Sequence, residues 1–223
     1  MKVKFDLEKE YLEYVDLIQQ VKAQTSELSR LLDIVQNRSV IHKTAFELSN
    51  ISIETVDCII MNLKYGYLAQ VQVLIRWYLE MCHLSRYLID NDDKYKKWLK
   101  GDKVRPKDIG VYFEKILKFP SWKYYYNELS EYIHFNPIFI ENHYRIELSN
   151  HEEVDLHELL VEQSLANVML LSQKFNYAIL EALKSPMGSD FNILKNKCNK
   201  VGAQVDEIYR DHLERERKKL ESS

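Results

Sequence analysis

The chain has 223 residues, of which 46% are hydrophobic and 29% are charged, and its formal net charge is −3. A chain of this length and composition is expected to be soluble and to bury a substantial core. Only 5 glycines and 4 prolines interrupt it, which argues against a turn-dense sandwich or barrel and predicts an all-α fold. The slight negative charge argues against generic DNA or membrane binding, although a local basic patch is compatible with it.

The targeting and cysteine patterns point to a reduced, cytoplasmic environment. The N-terminus, "MKVKFDLEKEYLEY", lacks an apolar core of signal-peptide length, and no later window approaches the ~18 uncharged apolar residues of a membrane span. The three cysteines, Cys58, Cys82 and Cys198, lie far apart in apolar helical surroundings. We therefore expect a cytoplasmic protein without membrane association, whose cysteines are buried, reduced thiols.

The first predicted element is a long helix over residues 6–36 that carries a heptad seam. Apolar and small side chains recur at alternating steps of four and three, which is typical of a helix that needs a packing partner. The seam residues are Leu7, Tyr11, Tyr14, Ile18, Val21, Thr25, Leu28, Leu32 and Val35.

Two further long helices and three shorter ones are predicted next. Residues 44–64 form one helix, Gly66 permits a break, and a second helix runs to about Ile89. "KYKKWLK" reads as a short helix before a basic loop, and Asp108 is expected to cap the helix "IGVYFEKILKF". Pro120 stands at a favoured early position of the helix "SWKYYYNELSEYIH".

The second half is predicted as an irregular insertion followed by two long helices. Residues 136–150 are broken by Pro137 and form a short irregular segment or a small hairpin. Asp155 is expected to cap a long helix that ends before "SPMGSD". The last helix is expected to start near Phe191 and to lose its helical structure in "ERERKKLESS". The tail "HLERERKKLE" alternates in charge, which predicts a solvated helix end rather than a nucleic-acid arm.

These elements predict one helical domain over residues 1–223, with a core at about 40–185 between an N-terminal helix (1–38) and a C-terminal helix (189–223). The last helix also has a heptad seam. The two seams can pair as an antiparallel hairpin, or they can join a homodimer or another helical protein in a coiled coil. The second seam comprises Leu194, Cys198, Val201, Val205 and Ile208.

The stretch "LIRWYLEMCHLSRYL", residues 74–88, raises the main functional question, because charged groups interrupt an apolar helix. At ~100° per residue its polar side chains fall in one narrow sector. That sector either faces water, with Arg76 and Glu80 as a weak surface pair, or faces an internal cleft where such a pair serves specificity or chemistry. The sector contains Gln72, Arg76, Glu80, His83, Tyr87 and Asp90.

A second polar group ends the helix in "YNELSEYIHFNP", where Ser130 lies one turn before His134. Pro137 then turns the chain, and a helix end beside a turn can line a cleft. An unperturbed histidine has a pKa near 6.5, so His134 is able to exchange protons at neutral pH. The alternative is a histidine satisfied by a backbone carbonyl.

The sequence resembles a widespread group of uncharacterised bacterial helical proteins that carry an Arg-x-x-x-Glu helix and a later Ser-x-x-x-His motif. "LIRWYLE" and "LSEYIHFNP" are the matching segments. The second half also resembles the HEPN superfamily (higher eukaryotes and prokaryotes nucleotide-binding), although Leu129 stands where that family's motif has arginine. HEPN proteins are helical bundles, often dimeric, and many are metal-independent ribonucleases in toxin–antitoxin or phage-defence systems.

The resemblance implies RNA cleavage through the ribose 2′-hydroxyl without metal or cofactor. His134 moves a proton, Arg76 offsets charge on the scissile phosphate, and Glu80 orients one of them, with Gln72, His83 and Ser130 as supporting polar groups. Arg145 and His151 in "RIELSNH" form an alternative Arg–His pair. A noncatalytic interaction module with a buried Arg–Glu–His cluster is the competing hypothesis.

A metal site is not expected from the sequence. Glu80 and His83 share a helix face at i, i+3, but a di-iron bundle needs that motif twice. Glu158 and Glu162 lack a matching histidine. Gly-rich phosphate loops, nucleophile elbows and zinc spacings are also missing.

Overall fold

The structure is a computed structural model that describes residues 5–35, 39–115 and 152–222. These ranges are helical and contain no strand, which confirms the all-α prediction. The predicted hairpin and the helix at Pro120 lie outside the described residues. The helices are α1 (Leu7–Glu10), α2 (Leu12–Val35), α3 (Val40–Lys64), α4 (Leu68–Ile89), α5 (Asp92–Leu99), α6 (Pro106–Lys115), α7 (Glu152–Met187) and α8 (Phe191–Ser222).

The predicted N-terminal helix is divided at Tyr11, which separates the single turn α1 from α2. Apart from the half-buried Tyr11, every residue of the predicted seam is buried. The seam packs mainly against α3 and α7, while α8 contacts α2 less extensively. Helices of the same chain therefore cover the N-terminal seam.

The long helix α7 corrects two predicted boundaries. Asp155 lies inside the helix rather than capping it, and the helix continues through Pro186 to Met187 instead of ending before "SPMGSD". Proline has no N–H to donate to the carbonyl four residues earlier, which here belongs to Ala182. The ring Nε2 of His42 in α3 lies 3.1 Å from that oxygen and donates to it instead. A neighbouring helix thus compensates the lost bond.

Two other predicted helix ends were wrong for local reasons. The helix expected to be capped by Asp108 already begins at Pro106, a residue favoured at the first helical position. Asp108 lies in its first turn and pairs with Arg105 at 3.0 Å. At the C-terminal end of the chain, α8 does not lose its helical structure in "ERERKKLESS" but continues to Ser222. Alternating charges can support such a helix through i, i+3 and i, i+4 pairs.

The core is built around α4 and α7, which pack against each other and against α3, while α7 also packs against α2 and α8. Ile75, Tyr78, Leu165 and Met169 are fully buried at this junction. The cysteine prediction holds for Cys82 and Cys198, which are buried, and is wrong for Cys58, which is exposed.

No helix in the described ranges is long and apolar enough to cross a membrane.

Candidate functional site

Helix α4 turns its polar sector inward. Gln72, Arg76, His83 and Tyr87 are each at most 6% exposed, whereas Val73 is 45% exposed and Trp77 44%. The interpretation that the whole sector faces water is therefore wrong. Only its margins reach solvent, at Glu80 and Asp90, whose side chains are 45% and 24% exposed.

Arg76 and Glu80 form an ion pair at the boundary between core and solvent. The Nη2 of Arg76 donates to the Oε1 of Glu80 at 2.7 Å. The arginine side chain is 5% exposed and the glutamate side chain 45% exposed. A guanidinium removed from water needs compensating hydrogen bonds, and the pair attracts more strongly there than at an open surface. Arg76 is thus a shielded cation whose carboxylate partner faces outward.

The supporting residues Gln72 and His83 are tied into the helix packing. Gln72 donates to the hydroxyl of Ser164 in α7 at 2.9 Å. The Nδ1 of His83 lies 2.7 Å from the Leu79 carbonyl, to which it donates. Burial lowers the pKa of His83 to about 3, against a smaller opposing effect of the backbone hydrogen bond. His83 is therefore neutral near pH 7, and its protonated form is not available for proton transfer there.

The remaining predicted site residues lie outside the described ranges. They are Ser130 and His134, together with the alternative pair Arg145 and His151. Of the three residues proposed to perform chemistry, the structure brings together Arg76 and Glu80.

A second polar cluster, which sequence reasoning missed, joins α2, α7 and α8 around one carboxylate oxygen. We call Tyr14, Glu162, His212 and Arg215 the Glu162 cluster. The Oε1 of Glu162 accepts from the Tyr14 hydroxyl at 2.9 Å. It also pairs with the Nη2 of Arg215 at 2.9 Å and lies 3.5 Å from the Nδ1 of His212. Arg215 donates a further bond of 2.6 Å to the Tyr14 oxygen.

The electrostatics of the Glu162 cluster favour an ionised carboxylate. The ring of His212, whose Nδ1 lies 3.5 Å from the carboxylate, lowers the pKa of Glu162 to about 2 against an opposing effect of burial, and Tyr14 and Arg215 lower it further. Burial, with the charge of Glu162, raises the pKa of Tyr14. The phenol therefore stays protonated and keeps donating to the carboxylate.

The Glu162 cluster corrects the interpretation of the tail at one residue. His212 is 2% exposed and anchors the start of "HLERER" in the bundle, whereas Leu213, Glu214 and Arg215 are exposed, as predicted for a solvated helix end. The available sequence signals were Tyr14, a polar-tipped residue within an apolar seam, and the i, i+3 spacing of His212 and Arg215. Neither signal indicated that α7 would bring Glu162 between them.

Further hydrogen bonds connect the helices through the core. Asn176 in α7 accepts from Thr25 at 2.7 Å and donates to the Val21 carbonyl of α2 at 3.0 Å. The hydroxyl of Tyr78 in α4 lies 2.7 Å from that of Ser52 in α3 and donates to Ser172 in α7 at 3.0 Å. Such buried, directional bonds fix how the helices are aligned.

An acidic groove of about 340 Å³ separates α2 from α8. Its negative charge repels phosphate and other anions. It is lined by Glu13, Asp16, Leu17, Gln20, Gln204, Glu207, Ile208 and Asp211.

The fold and the two polar clusters define an all-α bundle with partly buried ion pairs, and no more specific class. In the described part of the chain, no three histidine, cysteine or acidic residues are grouped so that they could hold a metal ion. Comparison with protein-family models, curated proteins and solved structures finds no match.

Proposed function

We propose that the protein is a HEPN-like, metal-independent endoribonuclease, or a relative that retains RNA binding without cleavage, acting in the cytoplasm in bacterial toxin or phage-defence biology. The observation that carries the proposal is the shielded guanidinium of Arg76, which is 4% exposed and held 2.7 Å from Glu80. Its supporting sequence feature is the Arg-x-x-x-Glu helix followed by Ser130 and His134.

In the proposed reaction, the ribose 2′-oxygen attacks the adjacent phosphorus and the bond to the 5′-oxygen breaks. His134 takes the proton of the 2′-hydroxyl or returns one to the leaving oxygen. Arg76 offsets the charge that develops on the phosphoryl oxygens, and a cation held away from water does this more effectively than a solvated one. Glu80 keeps the guanidinium in one orientation.

The test is cleavage of total RNA by the purified wild-type protein and by variants, in several buffers and also on expression in cells. Arg76→Ala and His134→Ala are expected to lower cleavage at least about 100-fold, the range in which a positioned acid–base group or an electrostatic donor acts. Glu80→Gln keeps the shape of the side chain and removes its charge, so a smaller loss is expected.

A matched control lies on the same helix. Arg86 and Asp90 form another i, i+4 ion pair at 2.7 Å, with both side chains 24% exposed. Arg86→Ala should leave cleavage unchanged. Cleavage that persists at the wild-type rate in both Arg76→Ala and His134→Ala, or that falls equally in Arg86→Ala, contradicts the proposal.

A second candidate function is a noncatalytic helical interaction module that forms a homodimer or binds a helical protein partner. The observation that favours it is the set of interhelical hydrogen bonds around Glu162 and Asn176, which serve packing. On this hypothesis Arg76→Ala lowers the unfolding free energy by about 3–5 kcal/mol, the cost of breaking a buried pair. Wild-type protein that cleaves no RNA but sediments as a dimer would support this function over the first.

A further inference from the structure

The acidic groove between α2 and α8 contains four carboxylates that have no cationic partner in the described part of the chain. Glu13 and Asp16 lie on the α2 side, and Glu207 and Asp211 lie on the α8 side. All four are exposed, and no ion pair joins any of them to a described residue. Four like charges around one groove attract a cation from outside the protomer.

The two helices are joined on either side of this groove. Beyond one end, Lys197 of α8 pairs with Glu27 of α2 at 2.7 Å. Near the other end, Arg215 of α8 donates to the hydroxyl of Tyr14 in α2 at 2.6 Å. The groove therefore lies between two fixed points, and no lysine, arginine or histidine lines it.

The shape and lining of the groove suit lysine side chains. Its volume of about 340 Å³ is at the lower end of the ~300–1,000 Å³ of ligand pockets, so it admits side chains but not a folded helix. The lining also includes the buried Leu17 and the half-buried Ile208. A lysine packs its alkyl stem on apolar surface and extends its ammonium group to polar partners, here the exposed carboxylates.

The chain itself carries the complementary charge in residues 94–107, which we call the basic segment. It contains seven lysines and arginines and one aspartate. Lys96 is paired with Asp92. Arg105 is paired with Asp108. The remaining five lysines are exposed and form no ion pair within the described residues; they are Lys94, Lys97, Lys100, Lys103 and Lys107.

The basic segment and the acidic groove lie towards opposite ends of the bundle. Tyr95 of α5 donates to the carbonyl of Val40 at the start of α3, at 2.9 Å. Glu8, which directly precedes the α2 side of the groove, pairs with Lys64 at the end of α3. Because α3 has 25 residues and is therefore ~37 Å long, the basic segment does not reach the groove of its own chain.

We infer that the basic segment of one copy of this protein docks into the acidic groove of a second copy. The occupant is another copy because the same chain presents both complementary surfaces and cannot join them within itself. Since the two surfaces differ, the contact is heterologous, so it extends head to tail into a ring or a longer assembly. This inference goes beyond the proposed function and does not depend on RNA cleavage.

Sedimentation equilibrium of the full chain measures this assembly. In about 0.1 M salt, where charges act over ~10 Å, the wild-type mass should exceed the 26.7 kDa of one chain and rise with concentration. In about 1 M salt, where that distance falls to ~3 Å, the mass should return to that of a single chain.

Two double variants each remove charges from one surface. The groove variant combines Asp16→Asn and Glu207→Gln, with one change on each side of the groove. The segment variant combines Lys97→Gln and Lys100→Gln. All four side chains are exposed, so the fold should be preserved. Each variant alone should associate about tenfold more weakly than wild type, the effect of losing two exposed ion pairs.

A mixture of the two variants tests whether these surfaces contact each other. The groove variant keeps its basic segment and the segment variant keeps its groove, so one contact can form between them. The surfaces left free in that pair are the neutralised ones, and growth stops there. The mixture should reach twice 26.7 kDa and no more, under conditions in which neither variant associates alone.

The control for the groove variant combines Glu54→Gln and Asp190→Asn. These carboxylates are exposed, lie outside the groove and form no ion pair in the described ranges. Their removal changes the net charge by the same amount, yet the control should associate like wild type. Circular dichroism verifies that every variant is folded.

Several outcomes would overturn the inference. They are a wild type that keeps the mass of one chain in low salt, a groove variant that associates as strongly as wild type, and a mixture that stays at one chain. Association that requires added RNA, or a single-chain wild type that binds a lysine-rich peptide in the groove, would show that a second copy is not the occupant. RNA cleavage is measured separately, so none of these results decides the proposed function.

Discussion

The two ion-paired clusters of this protein differ in what they connect. The bond between Arg76 and Glu80 joins residues of one helix, across a single turn at the solvent boundary. The Glu162 cluster joins three helices, with Tyr14 from α2, Glu162 from α7 and both His212 and Arg215 from α8. A bond between helices is lost when they separate, whereas a bond within one helix need not be. The Glu162 cluster is therefore expected to stabilise the fold, and the Arg76–Glu80 pair to serve a site.

The largest stability effect is expected for Glu162→Ala. This change removes the acceptor shared by Tyr14 and Arg215 and leaves polar groups without their carboxylate. Because the Arg215 side chain is 46% exposed and can be partly hydrated, the expected loss is about 2–4 kcal/mol, somewhat below that of a fully buried pair. Urea denaturation followed by circular dichroism measures this loss.

The control for Glu162→Ala is Glu27→Ala. Glu27 of α2 also pairs with α8, through Lys197 at 2.7 Å, but the two side chains are 39% and 55% exposed. Its removal should cost at most about 1 kcal/mol. Equal losses in the two variants contradict a special role for the buried carboxylate.

The same carboxylate predicts a pH dependence of stability. The pKa of Glu162 falls from an ordinary 4.5 to about 2 in the folded protein, chiefly through the neighbouring ring of His212. A lowered folded-state pKa contributes stability that is fully present above the unfolded pKa and is lost as pH falls through the folded pKa. The stability difference between wild type and Glu162→Gln should thus shrink as pH falls from about 5.5 towards 2.

Urea midpoints of both proteins across this range provide the measurement. A difference that stays constant down to pH 2 is incompatible with the ionised carboxylate described here.

A smaller effect is expected for the hydrogen bond between α2 and α7. Thr25→Val keeps the shape of the side chain and leaves the Asn176 oxygen without its donor at 2.7 Å, in a fully buried position. The expected loss is about 1–3 kcal/mol, the cost of an unsatisfied buried polar group. Ser26→Ala is the matched control, since its half-buried hydroxyl donates to the Lys22 carbonyl of the same helix. Calorimetry should show a clearly lower Tm for the first variant alone.

The sequence alone was sufficient to predict the helical secondary structure and the buried N-terminal seam, because both depend on local hydrophobic periodicity. The sequence predicted a helix end before Pro186, and this was wrong because His42 from α3 replaces the missing hydrogen bond to the Ala182 carbonyl. It failed again at His212, whose neighbours in the chain are charged but whose ring lies beside Glu162 from α7. These outcomes depend on which helices meet, and helical periodicity does not encode that.

The candidate site shows the same limit. The helical wheel correctly placed Gln72, Arg76, Glu80 and His83 on one sector, but it could not decide which side of α4 the bundle would cover. The packing of α4 against α3 and α7 decided that. Whether Arg76 and His134 meet remains a prediction, since His134 lies outside the described residues.

The smallest stability effect is expected for Arg76→Met, which removes the charge but keeps the buried alkyl stem of the side chain, and it sharpens the comparison between the two clusters. Removing the guanidinium leaves a carboxylate that is already 45% exposed, so water can replace the lost partner. The unfolding free energy should fall by about 1 kcal/mol or less, as for an exposed pair, while RNA cleavage is lost. Denaturation and cleavage measured on the same preparation give both quantities. A loss as large as that of Glu162→Ala, without any loss of activity, would instead make Arg76 a structural residue.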